Sequence, residues 1–537
     1  MWNRPHSVLK EERPLTLKDK RQDMKKLLII FIVHYSLFIT AASAQSWWGA
    51  SVGLGHEQPY TNLPAFDLNT QDANNQLVPL FLSSDGEYMW SDGAFVFEAV
   101  NGEIKPSVPM ERERAGKTLR EAYMAAQKRY FPANGQLPDT LFFTMPQYNT
   151  WIELMYNQNQ KDILRYAHAI IDNGFPPGVL MIDDNWQRYY GNFDFKAERF
   201  PDPKGMIDEL HSLGFKVMVW ICPFVSPDSP EFRELESRGL LLRNANGGTA
   251  VLNWWNGYSA CYDLTNPEAA EHFVKVLRNA QEQYGIDGFK FDAGDNNCYA
   301  SAPVKAYDAA ATTVDHTASW AKIGLSFPFN EYRACWKMGG QPLVQRLGDK
   351  DYSWDAVRQL IPQMCVAGLL GYAYACPDMV GGGQWAAFLN IREDAFDQAL
   401  IVRSAQVHAL MPMMQFSVAP WRILSEKNLA IVQRMAKLHE AFGPYIMRYA
   451  RLAAKTGEPI VRLMEYQFPH QGFETCKDQF MLGDKYLVVP VVDTRLEREV
   501  RLPKGTWRDD LGKKYKGGKT YKIKVPLERL PYFEKIK

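Results

Sequence analysis

From about residue 140 onward, short β-rich runs alternate with helical stretches, and this pattern restricts the fold more than any other feature of the chain. Eight strand candidates follow in order: Thr140–Met145, Val179–Asp183, Lys216–Ile221, Gly288–Asp292, Ile323–Phe329, Leu343–Leu347, Gly371–Ala375 and Ala409–Met414. Helical stretches at Gln160–Asn173, Pro203–Leu213, Pro267–Tyr284 and Asp355–Leu369 lie between them, and Asn428–Phe442 follows the last. Parallel neighbours need a long crossover, usually a helix, so the alternation predicts a parallel sheet. Eight strand–helix units predict a (β/α)8 TIM barrel, an α/β fold, over residues 138–447. A doubly wound open sheet competes with it. No Gly-x-Gly-x-x-Gly turn follows the first strand, which counts against a dinucleotide-binding sheet.

The flanks read differently. Between 45 and 137, the runs Val78–Leu82, Glu87–Trp90 and Ala94–Ala99 are split by Asp85-Gly86, Asp92-Gly93 and Asn101-Gly102. Such dipeptides mark hairpins, so an N-terminal β-sandwich-like domain is expected, followed by a helix around Gly116–Tyr130. After 448 the strand pattern returns at Pro459–Met464, Gln479–Leu482, Tyr486–Val492, Val500–Leu502 and Thr520–Val525, predicting a small C-terminal β-domain over 448–537. At the other end, Lys25-Lys26, the apolar run Leu27–Thr40 and Ala42-Ser43-Ala44 make a secretory signal peptide of residues 1–44, with Met24 a more usual start than Met1. The run is short for a membrane span of roughly 20 residues, although an uncleaved anchor is the alternative. The mature protein is expected to be exported, periplasmic or extracellular, with no membrane association after cleavage.

Lys+Arg and Asp+Glu number 61 each, so no basic excess is available to track a phosphate backbone, and nucleic acid is not an expected partner. Aromatic residues reach 13%, which suits a protein that grips uncharged rings and equally a large aromatic core. Seven Cys are scattered without a Cys-x-x-Cys pair, so neither a structural zinc site nor a disulfide framework is implied.

In a barrel of this kind, reactive groups project from the C-terminal strand ends. Polar residues gather there: Asp183-Asp184-Asn185-Trp186 after the second strand, Lys290-Phe291-Asp292 with Asp295 at the fourth, Gly348-Asp349 after the sixth and Cys376-Pro377-Asp378 after the seventh. Arg333 follows the fifth. One such Asp is as easily a helix cap as a functional group, but four with a Lys and an Arg converge on one site. Metal binding usually recruits His, and none lies beside these motifs, so no metal or cofactor is expected. Paired carboxylates flanking a glycosidic bond fit best. Trp220, Trp254 and Trp255 are candidate stacking walls, with core packing the competing role. Asp295 reads as loop-ordering.

Over roughly residues 75–537 these motifs resemble glycoside hydrolase family 31, in the clan that also holds the α-galactosidases of families 27 and 36. Phe193–Val225 is similar to the family segment in which an Arg-Phe-Pro run precedes a helix and a strand. Asp292 of Phe-Lys-Phe-Asp-Ala-Gly-Asp matches the family nucleophile. Asp349 of Gly-Asp-Lys-Asp-Tyr-Ser-Trp matches the acid/base loosely, with Lys350 where the family has Asn. Arg333 matches a sugar-binding Arg, Asp378 of Pro-Asp-Met-Val-Gly matches the Asp-Ile-x-Gly motif, and Arg403 and Met411-Pro412 fit the later helix and last strand. Two departures point one way. Lys290 stands where α-glucosidases of the family have Trp, and Asp183-Asp184-Asn185-Trp186 resembles the Asp-Asp-x-Trp of α-galactosidases. The N-terminal β-domain is also shorter than usual for the family.

The resemblance implies a retaining, exo-acting α-galactosidase. Asp292 would be its nucleophile and Asp349 its acid/base, the latter kept neutral by its surroundings. Asp183, Asp184, Lys290, Arg333 and Asp378 would bind sugar hydroxyls of an α-linked oligosaccharide or glycoside. An α-glucosidase, α-xylosidase or sulfoquinovosidase-like enzyme, a transglycosylase and a non-catalytic sugar-binding protein are the alternatives.

Overall fold

A computed structural model describes residues 45–71, 75–389 and 395–537. The predicted signal peptide, 1–44, lies outside the described residues. Eight parallel strands form the central sheet: β1 (Gln147–Asn149), β2 (Val179–Ile182), β3 (Lys216–Ile221), β4 (Gly288–Phe291), β5 (Phe329–Tyr332), β6 (Gln345–Arg346), β7 (Ala375–Cys376) and β8 (Gln415–Phe416). They run in sequential order from β1 to β7, with β8 beside β1. A bridge between Met379, just past β7, and Gln415 of β8 closes the ring. This is a TIM barrel.

Strands β2, β3 and β4 lie where the apolar pattern puts them. The others do not. Thr140–Met145 is not the first strand: Leu141–Thr144 is a helical turn that precedes it. Its Phe142 and Phe143 are buried against Phe329 and Tyr374 at the N-terminal end of the barrel. Ile323–Phe329 is mostly the end of the helix Thr313–Ile323 and a following 3-10 turn, and the strand begins at Phe329. The seventh and eighth strands likewise start at Ala375 and Gln415, at or beyond the ends of the apolar runs expected to form them. The physical reason is a polar barrel interior. Gln147, Asn330, Glu331, Gln345, Arg346 and Gln415 are all buried on these strands, so the strands lack the Val/Ile signature of a parallel sheet. Some of them pair with one another: the Gln415 amide donates to Glu331 (2.7 Å) and to Gln147 (3.0 Å).

The N-terminal part holds two antiparallel sheets. One contains Trp47–Ser51, Gln76–Ser83, Glu87–Trp90 and Glu111–Arg114, and the other Leu63–Asp67, Val96–Val100 and Glu103–Pro106. They share a core around Trp47, Phe81, Phe95 and Phe97. The first sheet gains a parallel strand, Cys335–Trp336, from the segment after β5. The expected helix forms over Leu119–Tyr130, capped by Thr118. The C-terminal part is a six-stranded sheet facing a two-stranded one around Met481, Leu487, Trp507 and Phe533. No helix among the described residues is long and apolar enough to cross a membrane.

Arg403, on the helix Gln398–Ala409 between β7 and β8, fastens the C-terminal sheets to the barrel. Its buried guanidinium donates to the carbonyls of Val525 (2.8 Å), Arg529 (3.3 Å) and Arg495 (3.4 Å). Arg403→Met leaves these carbonyls without that donor. It should cost about 1–3 kcal/mol, read as a lower urea midpoint.

Candidate active site

The C-terminal strand ends surround a cavity of about 310 Å³ lined by Asp183, Asp184, Trp220, Lys290, Asp292, Arg333 and Asp349, with Trp151, Tyr156, Trp255, Gln384 and Trp385 at its walls. Strand register sets its floor. Trp220 of β3, Lys290 of β4 and Glu331 of β5 are cross-strand neighbours in one layer. Asp292 follows β4 directly and is buried. Arg333 Nε donates to its Oδ1 (2.7 Å) and a second guanidinium nitrogen reaches the same oxygen. The Trp220 indole donates to Oδ2 (2.9 Å), and Lys290 Nζ lies 3.6 Å from that oxygen. Burial alone would raise this carboxyl, but Arg333, Lys290 and Arg346 outweigh it and hold Asp292 well below the usual carboxylate range.

Lys290 Nζ also donates to Asp183 Oδ2 (2.6 Å), so it spans the ends of β2 and β4. Asp184 accepts from the Tyr190 hydroxyl (3.1 Å) and from the Asn256 amide (2.9 Å). Burial, reinforced by the neighbouring Asp183, pushes it up to about 7. Asn256 stands at the tip of a hairpin, Leu252–Trp254 and Gly257–Cys261, inserted after β3. Its side chain also accepts from the Tyr156 hydroxyl (2.9 Å), which latches the hairpin over the mouth.

Asp349 lies three residues past β6, its side chain 22% exposed. The surroundings do not hold it neutral, contrary to the expectation from the motif. Burial pushes it up, but Arg346, Arg333 and Lys290 overcome burial and keep it below the ordinary value. The loop is braced from the N-terminal sheets: Gly348 N–H donates to Asn75 Oδ1 (3.0 Å), and Gln76 Nε2 donates to the Arg346 carbonyl (3.0 Å).

Two expected sugar contacts are elsewhere. Asp378 does not line the cavity. It is fully buried, with Oδ1 on Arg346 Nη1 (2.6 Å) and Oδ2 on the Lys350 N–H (2.7 Å). Its carboxylate is spent holding the loop that carries Asp349. Trp254 is not a wall either. It stacks on Phe224 (centroids 4.4 Å apart) inside the hairpin base, and the neighbouring Trp255 lines the cavity with the Arg333 guanidinium over its ring (5.2 Å). Asp295 is buried at the start of the short helix Asn296–Tyr299. Trp151 and Tyr156 follow the first strand, which forms beyond the apolar run Thr140–Met145, so the apolar pattern puts neither near a strand end. Arg346 carried no motif at all. At Gly383 a Cβ would stand 2.9 Å from Asp349 Oδ1 and 3.0 Å from Asp378 Oδ1, so a larger residue there would crowd both carboxyl groups. Among the described residues, no cluster of His, Cys, Asp and Glu has the makings of a metal site.

The raised Asp184 yields a stability test. Between its unfolded value near 4 and its folded value of about 7, the folded protein holds a proton that the unfolded chain has released. Asp184 therefore subtracts stability as pH rises through that window. Asp184→Asn should remove this loss, so the variant's urea midpoint should gain on the wild type's between about pH 4.5 and 7.5. An unchanged difference would contradict it.

Residues 143–449 match the model of the glycosyl hydrolases family 31 TIM-barrel domain, and residues 457–536 match the family's C-terminal domain. The myogenesis-regulating glycosidase of Mus musculus is 33% identical over 428 residues, 78% of this chain and 58% of that protein. The alpha-xylosidase of Emericella nidulans is 24% identical over 535 residues, 93% of this chain and 64% of the relative. The chain thus spans about three-fifths of the length of these relatives. In three dimensions it resembles a Flavobacterium johnsoniae GH31 dextranase complexed with glucose, with a TM-score of 0.78, 20% identity, and 91% of this chain and 65% of that one covered. Matched across barrel and C-terminal sheets alike, the chain belongs to glycosyl hydrolase family 31.

Proposed function

We propose that this protein is a retaining, exo-acting α-glycoside hydrolase specific for α-galactosides. The observation that carries the reading is the convergence of Asp292 and Asp349 on one small cavity, with Arg333 beside both. The volume, about 310 Å³, is at the low end for ligand sites and suits one sugar ring rather than a chain.

Asp292, held ionised by its cationic neighbours, attacks the anomeric carbon as the bond to the leaving oxygen breaks. Asp349 delivers a proton to that oxygen. Water then attacks the glycosyl-enzyme, giving up a proton to Asp349, and Asp292 leaves as carboxylate. Lys290 and Arg333 present donors to ring hydroxyls, while Asp183 and Asp184 present acceptors. The galactose assignment is supported by the two departures noted above: Lys290 and the Asp183-Asp184 pair all face the cavity. A site of buried charges rejects an epimer that leaves one unpaired.

Hydrolysis of 4-nitrophenyl α-D-galactoside against the α-D-glucoside and α-D-xyloside tests this, with Asp292→Asn as the blank. The galactoside should be cleaved preferentially, and the variant should lose at least about 10³-fold. Preference for another glycoside would overturn the galactose assignment alone. Turnover that persists in Asp292→Asn would overturn the nucleophile.

A further inference from the structure

Arg346 is the most buried cation of the site, 1% exposed, and it does not line the cavity. It lies within the barrel on β6 and is shared among carboxylates from three strands. Nη1 donates to Asp349 Oδ1 (2.8 Å), to Asp378 Oδ1 (2.6 Å) and to the Leu347 carbonyl (3.1 Å), while Nε faces Glu331 Oε1 at 3.4 Å. The sugar cannot recruit a group enclosed in this way, so Arg346 acts on the reaction through Asp349.

We propose that Arg346 is a positioning residue that sets the proton state of the acid/base Asp349, and thereby confines glycoside cleavage to acidic conditions. The inference rests on Asp349 serving as acid/base in the reading above. A carboxylate that accepts from a guanidinium is stabilised in its charged form, whereas the first chemical step needs it protonated. Every charge facing Asp349 enters the balance. Arg346 of β6, Arg333 beyond β5 and Lys290 of β4 favour the ionised form, and Asp292 of β4 opposes it. Asp378, beyond β7, shares the same guanidinium nitrogen; burial pushes it up to about 6, so it opposes the ionised form only above that pH. Arg346 is the cation in direct hydrogen-bond contact, so removing its charge shifts the balance most. Asp378 meets the same edge of the guanidinium as Asp349, and Glu331 lies beside Nε on the other edge.

The test is the pH dependence of kcat/KM for whichever 4-nitrophenyl α-glycoside the wild type cleaves. The basic limb reports the free enzyme's acid. In the wild type it should lie in the acid range, below about pH 5. Arg346→Gln should move it up by about one unit or more, the scale on which one close charge shifts a carboxyl. Arg346→Lys keeps the charge and loses the shared nitrogen, so it should leave the limb within about half a unit while lowering kcat/KM about tenfold. If Arg346→Gln does not fold, the double variant Arg346→Gln with Glu331→Gln removes an opposite charge alongside and should show the same rise. A limb that stays put in the neutral variants while kcat falls would overturn the proposal and leave Arg346 a purely structural group. Asp349→Gly separates this failure from that of the underlying reading. Azide should restore turnover of the activated substrate if Asp349 is the acid/base, and no rescue would overturn that assignment instead.

Discussion

Three cations, Lys290, Arg333 and Arg346, are buried among carboxylates at the mouth of the barrel, and the rest of the site follows from how they are neutralised. An unpaired charge at such depth would cost several kcal/mol or more. Each cation therefore binds groups on strands other than its own. Lys290 of β4 reaches Asp183 of β2, Arg333 past β5 reaches Asp292 past β4, and Arg346 of β6 reaches Asp378 past β7 and faces Glu331 of β5. These pairs cross-link the strand ends around most of the ring. They also bias the carboxylates they meet toward the ionised form, most of all Asp292.

The two halves of the site differ in solvation. Around Asp292 the pairing is complete: guanidinium, indole and ammonium meet its two oxygens, so the carboxylate is held in one orientation. Around Asp349 one guanidinium nitrogen is divided between two carboxylates, and part of the side chain faces the cavity. The loop carrying Asp349 is in turn held from outside the barrel, by Asn75 and Gln76 of the N-terminal sheet, so the short N-terminal part is integral to the geometry of the site.

Apolar alternation located the barrel because β2, β3 and β4 are apolar enough to show it, and the carboxylates beyond them were legible for the same reason. On β1, β5 and β8 buried Gln, Asn and Glu replace the apolar residues of an ordinary parallel strand, so the pattern slid onto neighbouring apolar turns. That shift concealed Trp151 and Tyr156. Asp378 and Trp254 depart from expectation for another reason: both stand in the expected segment, but each turns away from the cavity onto a buried partner. Arg346 fills the space beside Asp378, and Trp255 turns outward while Trp254 packs inward on Phe224.

By itself, the sequence determined the succession of strand and helix, the flanking β-regions, the family and the charged residues at the strand ends, because these depend on local periodicity and on short motifs. Tertiary structure alone decided which of those charges face the cavity and which face one another. Partners 30 to more than 100 residues apart, such as Arg346 with Asp378 and Lys290 with Asp183, meet only when the ring closes, and the cost of burying a charge makes that meeting obligatory.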